Sequence, residues 1–366
     1  MTVLHIIDSP ARGGTEMLAL DLCRNAKNNG LNLILVVTKQ GMLDEEFRLS
    51  GVDYYYIPRN YPIDFRLIKE LIKIVKQKEV QIIHAHQAVD GIHAYFTKLF
   101  TNAKIVMSFH GHVPSLKDDL TLKFLIPRID ANVVVSNSFL KRLKDEIKFD
   151  TSKNFHVIHN GIDTQKFFKT DRNFRKELKL SDSDLLLGMI GNFNDNIRDQ
   201  ITICKALPAI FNKYPNSHFA FIGKRFDESP HYYDECIDYC QMNGILNKTY
   251  FLGLRTDIND ILNSLDLFVY SSNHDTFGIA VIEAMIAGLP VIINDLSTLL
   301  EVTDNGKCAI VFKSKCSEDL EKKISYLIED KSNREHISKV GREWAISNYS
   351  IKTYINELKS LYLNLY

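Results

Sequence analysis

From Val3 to Phe312, short runs of apolar, strand-forming residues alternate with amphipathic stretches of helical period, and the alternation starts afresh near Leu185. Strands buried on both faces read as nearly continuous apolar runs, and parallel neighbours need a helical crossover between them. The first half predicts strands at Val3–Ile7, Leu31–Thr38, Val52–Ile57, Val80–Ala85, Lys104–Phe109 and Ala131–Ser136. The second predicts them at Leu185–Ile190, Phe219–Ile222, Tyr250–Leu252, Leu267–Tyr270, Val291–Ile293 and Ala309–Phe312. The fold class that follows is α/β, with two doubly wound, Rossmann-like domains. Residues 1–163 form the first, the polar stretch 164–184 a linker, and 185–348 the second. A last amphipathic helix over 349–366 is expected to pack back on the first. Such domains bind ligands at the carboxyl ends of their strands, so a cleft between the two is the expected site.

The stretch Leu267–Asp295 concentrates the chemistry. A strand, a polar loop at Ser271–Asp275 and a helix opened by Gly278 are followed by Gly288 and Pro290, the usual stop signals. Between Thr276 and Asn294 the single charged residue is Glu283. A carboxylate among Ile, Ala, Val and Met is seldom buried without a partner. It faces either solvent or a ligand rich in hydroxyls. Asp275 stands just before the helix start, where backbone N–H groups hold anions. Together these residues suit a phosphate and a sugar.

Composition removes several alternatives. Acids and bases balance at 45 each, so no net field draws the chain to nucleic acid. The six cysteines lack C-x-x-C pairs; Cys236 and Cys240, four apart, read as buried thiols rather than zinc ligands. That usage suits a reducing cytoplasm. Val3–Ile7 is too short for the core of a signal peptide, and no apolar run approaches the roughly 20 residues that span a bilayer. Lys117, Lys123, Arg128, Lys141, Arg142, Lys144 and Lys148 crowd the later part of the first half. Acids interleave with them, which makes a solvated face the stronger reading and peripheral contact with the inner plasma membrane the other.

Gly13-Gly14 at a strand-to-helix turn lets the backbone approach a diphosphate, yet no G-x-G-x-x-G follows the first strand, which argues against an NAD enzyme. His110 ends a strand in the sequence SFHGH, with His112 as a competing candidate. His84 and His86 end another strand and, two apart, point the same way.

Taken in order, Gly-Gly-x-Glu, the turn Asn160-Gly161-Ile162-Asp163 with Phe167, and Asp275…Glu283 with Glu-Ala-Met-x-x-Gly-x-Pro resemble a GT-B glycosyltransferase of the family 4 type over essentially the whole chain. The resemblance implies a retaining enzyme that moves a sugar from a nucleotide-diphosphate sugar, UDP favoured and GDP next, to a glycan or lipid-linked acceptor. Cell-surface polysaccharide synthesis is the implied setting. It makes His110, Asp275 and Arg198 catalytic. It assigns the donor to Gly13, Gly14, Asn192, Arg198, Gly223, Lys224, Arg255, Phe277, Gly278, Ile279, Ala280 and Glu283, and the acceptor side to His84, His86 and His112. His110 would meet the transferred sugar near its C6 hydroxyl, and Glu283 the ribose hydroxyls.

Two positions depart from the family pattern. Asn192 stands where an Arg is usual, and Asp275 where a Glu is usual. The shorter acid favours hydrogen bonding or charge stabilisation over nucleophilic attack. Arg198 and helix N-termini would carry the diphosphate charge, so neither metal nor cofactor is expected. Two other readings stay open: another GT-B activity such as a sugar-nucleotide epimerase, and a non-catalytic partner that binds nucleotide sugar.

Overall fold

The computed structural model describes residues 1–11, 13–112, 115–167, 174–194 and 197–366. They divide into two compact units, one of Met1–Asp163 with Tyr349–Tyr366 and one of Thr164–Asn348.

The first unit holds the parallel strands β1 (Thr2–Ile7), β2 (Asn32–Val37), β3 (Asp53–Tyr56), β4 (Ile82–Ala85), β5 (Lys104–Phe109), β6 (Ala131–Val134) and β7 (Phe155–Val157). Their order is β3-β2-β1-β4-β5-β6-β7, so the winding reverses between β1 and β4. Ligand sites form at such a switch, because crossovers leave it on opposite faces. Strand β7 escapes the sequence reading because it has three residues and an exposed centre at His156.

Local chemistry fixes the helices around this sheet. Asp64 caps the helix Phe65–Gln77 by accepting the N–H groups of Arg66 and Leu67, and Leu67, Ile68, Leu71, Ile74 and Val75 form its buried face. Ser350 caps the last helix, Ile351–Asn364, in the same way. This helix buries Tyr354, Ile355, Leu358 and Tyr362 in one core with Leu18 and Leu22 of the helix Gly14–Ala26. The turn before Asp163 seats it. Ile162 N–H donates to Tyr349 O and Ile351 N–H to Ile162 O, both at 2.8 Å. A Cβ at Gly161 would fall 2.5 Å from Tyr354 Cβ, so glycine is required by close approach.

The second unit holds β8 (Leu185–Ile190), β9 (Ser217–Ile222), β10 (Thr249–Phe251), β11 (Leu267–Tyr270), β12 (Val291–Asn294) and β13 (Ile310–Phe312), in the order β10-β9-β8-β11-β12-β13. Its switch lies between β8 and β11. Residues 168–173 of the expected linker lie outside the described residues. The rest of that stretch is built into this unit: Phe174 opens a short helix and is buried, and Arg175 pairs with Asp266, which also accepts Leu186 N–H at 2.8 Å. Cys204, Cys236 and Cys240 are buried free thiols. Among the described residues no helix is long and apolar enough to cross a membrane.

Candidate active site

At the end of β11 the chain leaves the sheet through Tyr270 and turns into the helix Ile279–Ile286. Gly278 caps this helix in the left-handed region, at φ 84°, which a side chain would resist. Asp275 ties the turn together. Its Oδ1 accepts the N–H groups of Phe277 at 3.2 Å and Gly278 at 3.0 Å, and its Oδ2 accepts the Tyr270 hydroxyl at 2.8 Å. Two of the four N–H groups assigned to a donor phosphate are therefore taken by Asp275, which leaves Ile279 and Ala280 for that role at the helix start. The carboxylate is 9% exposed, and its position follows from the loop.

Arg198 reaches the same carboxylate from the segment after β8. Nη1 donates to Ser272 Oγ and His274 O, each at 3.0 Å, and lies 3.4 Å from Asp275 Oδ2. Its guanidinium stands 5.3 Å from the centre of the Tyr270 ring. Burial works against this charge, but Tyr270 and Asp275 outweigh it and raise the Arg198 pKa. Burial also pushes the Tyr270 hydroxyl well above its ordinary value; Arg198 opposes that shift, while Asp275 and Glu283 add to it. Arg198 and Asp275 thus meet at one phenol. Half-buried Glu283 lies on the helix that Gly278 opens.

The neighbouring loops serve this arrangement. A Cβ at Gly191 would press on the Arg198 stem at 3.3 Å, and one at Gly223 would lie 2.0 Å from Gly191 O. Asn192 Oδ1 accepts Lys224 N–H at 2.9 Å, so the residue that replaces the usual Arg joins the two strand-end loops. Lys224 is exposed, with its ammonium 4.7 Å from the Phe226 ring centre. Arg255 departs from its expected role. It is held by Glu177 at 2.6 Å and Asp257 at 2.7 Å and stacks on Phe174, so its charge ties the loop after β10 to the short helix Phe174–Glu177. Those acids lie 78 residues before it and two after it.

In the first unit a pocket of about 410 Å³ lies at the sheet's carboxyl edge, lined by Thr15, Glu16, His86, Gln87, His110 and His112 among others. Gly13 caps the helix Gly14–Ala26, and the Glu16 carboxylate folds back over it, accepting its N–H. This is the return half of a capping box. A Cβ at Gly13 would lie 2.6 Å from Glu16 Oε2, so the Gly-Gly pair admits this carboxylate, whose pKa burial raises. The Gly13 N–H assigned to a donor phosphate is occupied by it. His112 reaches the pocket, but its Nε2 is bound to Asp119 at 2.7 Å. His84 does not line the pocket; it is fully buried between Ser108 at 2.7 Å and Tyr362 at 2.5 Å, which corrects its assignment to the acceptor side. His86 bridges His5 and His110, each at 2.9 Å.

Among the residues of these clusters that sequence did not single out are His5, Ser108, Tyr270 and Tyr362. His5 interrupts the apolar run of β1, which was a usable signal; the two tyrosines end or sit within apolar segments and gave none.

Comparison with known proteins agrees with this architecture. Residues 12–166 match the family described as Glycosyltransferase Family 4, and residues 170–344 match Glycosyl transferases group 1. The chain is 23% identical over 376 residues to N-acetyl-alpha-D-glucosaminyl L-malate synthase of Bacillus anthracis, covering 97% of this chain and 95% of that protein. It is 21% identical to the UDP-Gal:alpha-D-GlcNAc-diphosphoundecaprenol alpha-1,3-galactosyltransferase of Escherichia coli, covering 99% and 97%. Among solved structures it resembles a glycosyltransferase from Rickettsia africae, with TM-score 0.85, 18% identity and 100% and 98% coverage. It also resembles the Anabaena protein HepE in complex with UDP and glucose, with TM-score 0.83, 17% identity and 99% coverage of each chain. With both halves matched in order onto two parallel-sheet units, the chain belongs to family 4 of the GT-B glycosyltransferases.

Proposed function

We propose that the enzyme is a retaining transferase that takes a sugar from a UDP-sugar, with a GDP-sugar as the second choice, and passes it to a glycan or lipid-linked acceptor in cell-surface polysaccharide synthesis. The observation that carries this reading is the meeting of Arg198 and Asp275 at Tyr270 beside the start of the helix Ile279–Ile286, which carries Glu283. Leaving-group chemistry needs positive charge at the diphosphate, and Arg198 with the N–H groups of Ile279 and Ala280 supplies it. Asp275, fixed by two N–H groups and a phenol, holds negative charge still while the sugar ring becomes cationic. Its position is too constrained for it to swing into bond formation, which fits electrostatic stabilisation and not a covalent intermediate. Glu283 is an acceptor-only group suited to paired ribose hydroxyls. The relative named for a UDP-linked donor and the neighbour bound to UDP support the choice of base. Charge neutralisation by Arg198 and the helix start makes the proposed transfer metal-independent.

A thermal-shift series with UDP, GDP, ADP and their sugars tests this directly. A ligand at one hundred times its Kd stabilises the native state by about 2.7 kcal/mol. Stabilisation by UDP and its sugars above the others is the expected result; no response to any nucleotide rejects the reading.

Peripheral membrane contact joins the proposal through the helix Leu116–Leu125. Leu116 is 80% and Leu120 60% exposed, one turn apart, with Lys117, Lys123 and Arg128 nearby. Flotation with anionic vesicles that leaves the protein at the bottom of the gradient would remove this part, and with it the assignment to the inner membrane face.

A further inference from the structure

Four imidazoles stand in a row inside the first unit, starting from the buried hydroxyl of Ser108 on β5 and ending in the pocket. Ser108 Oγ meets His84 Nε2 at 2.7 Å, and His84 Nδ1 meets the Tyr362 hydroxyl at 2.5 Å. That hydroxyl lies 3.2 Å from His5 Nε2. His5 Nδ1 then meets His86 Nε2, and His86 Nδ1 meets His110 Nε2, both at 2.9 Å. The rings of His84 and His86 are stacked 11° from parallel, as are those of His86 and His110 at 15°.

His5, His84 and His86 are close enough to suggest a metal site. The hydrogen bonds argue otherwise. Both nitrogens of all three rings are already engaged in the row, and two of the rings lie face to face instead of converging edge-on upon one point. A cation would have to break that order.

Each link in the row needs one proton, and a neutral imidazole has one to give. Because every link leaves one ring at Nδ1 and enters the next at Nε2, directly or through Tyr362, only two neutral arrangements satisfy all of them with the Tyr362 hydroxyl donating within the row. In one, Ser108 donates first and all four histidines carry the proton on Nδ1. In the other, His110 donates first and all four carry it on Nε2. A mixed set leaves a link with two protons or with none, or leaves the buried Tyr362 hydroxyl without an acceptor in the row, which is costly at a buried site. The row cannot drain a proton either, since its inner end is a serine hydroxyl with no basicity to accept one. It stores a direction and does not conduct.

We propose that Tyr362, His84, His5 and His86 couple the tautomer of His110 to their own, so that the helix Ile351–Asn364 takes part in setting which nitrogen of this pocket-lining imidazole carries the proton. Tyr362 is then a positioning residue. The effect on turnover rests on the function proposed above; the coupling of the tautomers does not. Burial keeps the rings neutral: it lowers His5 to about 3 and His110 to about 4, and it holds His84 and His86 well below their ordinary range, with neighbouring histidines adding to the effect on His5, His84 and His86. The other titratable groups facing the row are Tyr354 beside Tyr362, and Glu16, Asp118 and His112 around the pocket.

Two-bond nitrogen–proton NMR on the full chain labelled at histidine nitrogen distinguishes the two tautomers. The expected spectrum at pH 7 shows one form shared by His5, His84, His86 and His110; one ring in the opposite form overturns the proposal. Tyr362→Phe keeps the packing and cuts the row in two. It should move the His110 nitrogen shifts and lower kcat/KM about three- to tenfold, the loss of one neutral hydrogen bond, with donor KM nearly unchanged. Unchanged His110 shifts in that variant overturn the coupling. Should it fail to fold, the wild-type spectrum alone decides. A protein with one shared tautomer but no thermal response to nucleotide sugars keeps the coupling and loses only its bearing on sugar transfer.

Discussion

Arg198 and Tyr270 share a single oxygen of Asp275, at 3.4 Å and 2.8 Å. The acid is thereby fixed on three sides, and its charge is largely answered before any substrate arrives. Asp275→Asn keeps the shape and the acceptor for Phe277 and Gly278, but removes the charge. Loss of one preorganised electrostatic group costs about 10²- to 10³-fold in kcat. The expected outcome is a drop of that size with a melting temperature close to wild type. A variant retaining more than a tenth of wild-type turnover would show that the charge is not used.

Arg198→Lys tests the opposite partner. Arg198 uses one nitrogen for Ser272 and His274 while its planar fork leaves others for the donor, which a lysine ammonium cannot do at once. Turnover should fall by about two orders of magnitude and affinity for UDP by about tenfold, read by steady-state kinetics and calorimetry. Equal kinetics in the lysine variant would mean that only net charge matters.

Arg255→Ala separates structure from chemistry. Its guanidinium is 19% exposed and is gripped by two acids, Glu177 and Asp257. Removing it leaves both carboxylates without that partner and loosens the short helix at Phe174. Stability should fall by about 1–3 kcal/mol in urea unfolding, while the affinity for nucleotide stays within twofold. A large change in nucleotide affinity with stability intact would return Arg255 to the donor site.

These contrasts show what sequence could and could not convey. Apolar runs of three to eight residues announced every strand but β7, because a sheet covered on both faces leaves few polar positions to confuse the pattern. Gly278, Asp275 and Glu283 were legible because one loop and one helix bring them together within nine residues. Arg255 was placed on the donor side by its position after the Phe-Leu-Gly strand end, and its pairing with Glu177, distant in the chain, was not legible there. The His5–Tyr362 contact spans 357 positions, and no local periodicity encodes it. Glu16 is intermediate: its spacing from Gly13 is that of a capping box, but only the structure shows its carboxylate folded onto the glycine.

Asp90 makes the sharpest pH prediction. It lies in the first turn of the helix Ala88–Lys98, 1% exposed, and among the described residues neither carboxylate oxygen has a hydrogen-bond partner. Burial raises its pKa well above the ordinary value, Asp8 adds to this, and Arg59 and Lys39 oppose it. The folded chain therefore keeps the Asp90 proton at pH values where the unfolded chain, with a pKa of about 4, has lost it. In that window the native state binds more protons, so this residue's contribution to stability declines as pH rises. Asp90→Asn removes the titration and keeps the shape. It should be more stable than wild type at pH 8 by on the order of 1–3 kcal/mol, and the advantage should vanish near pH 4. Urea unfolding of both proteins at pH 4, 6 and 8 measures the difference; a variant that is less stable at pH 8 would place an unseen partner at the Asp90 carboxylate.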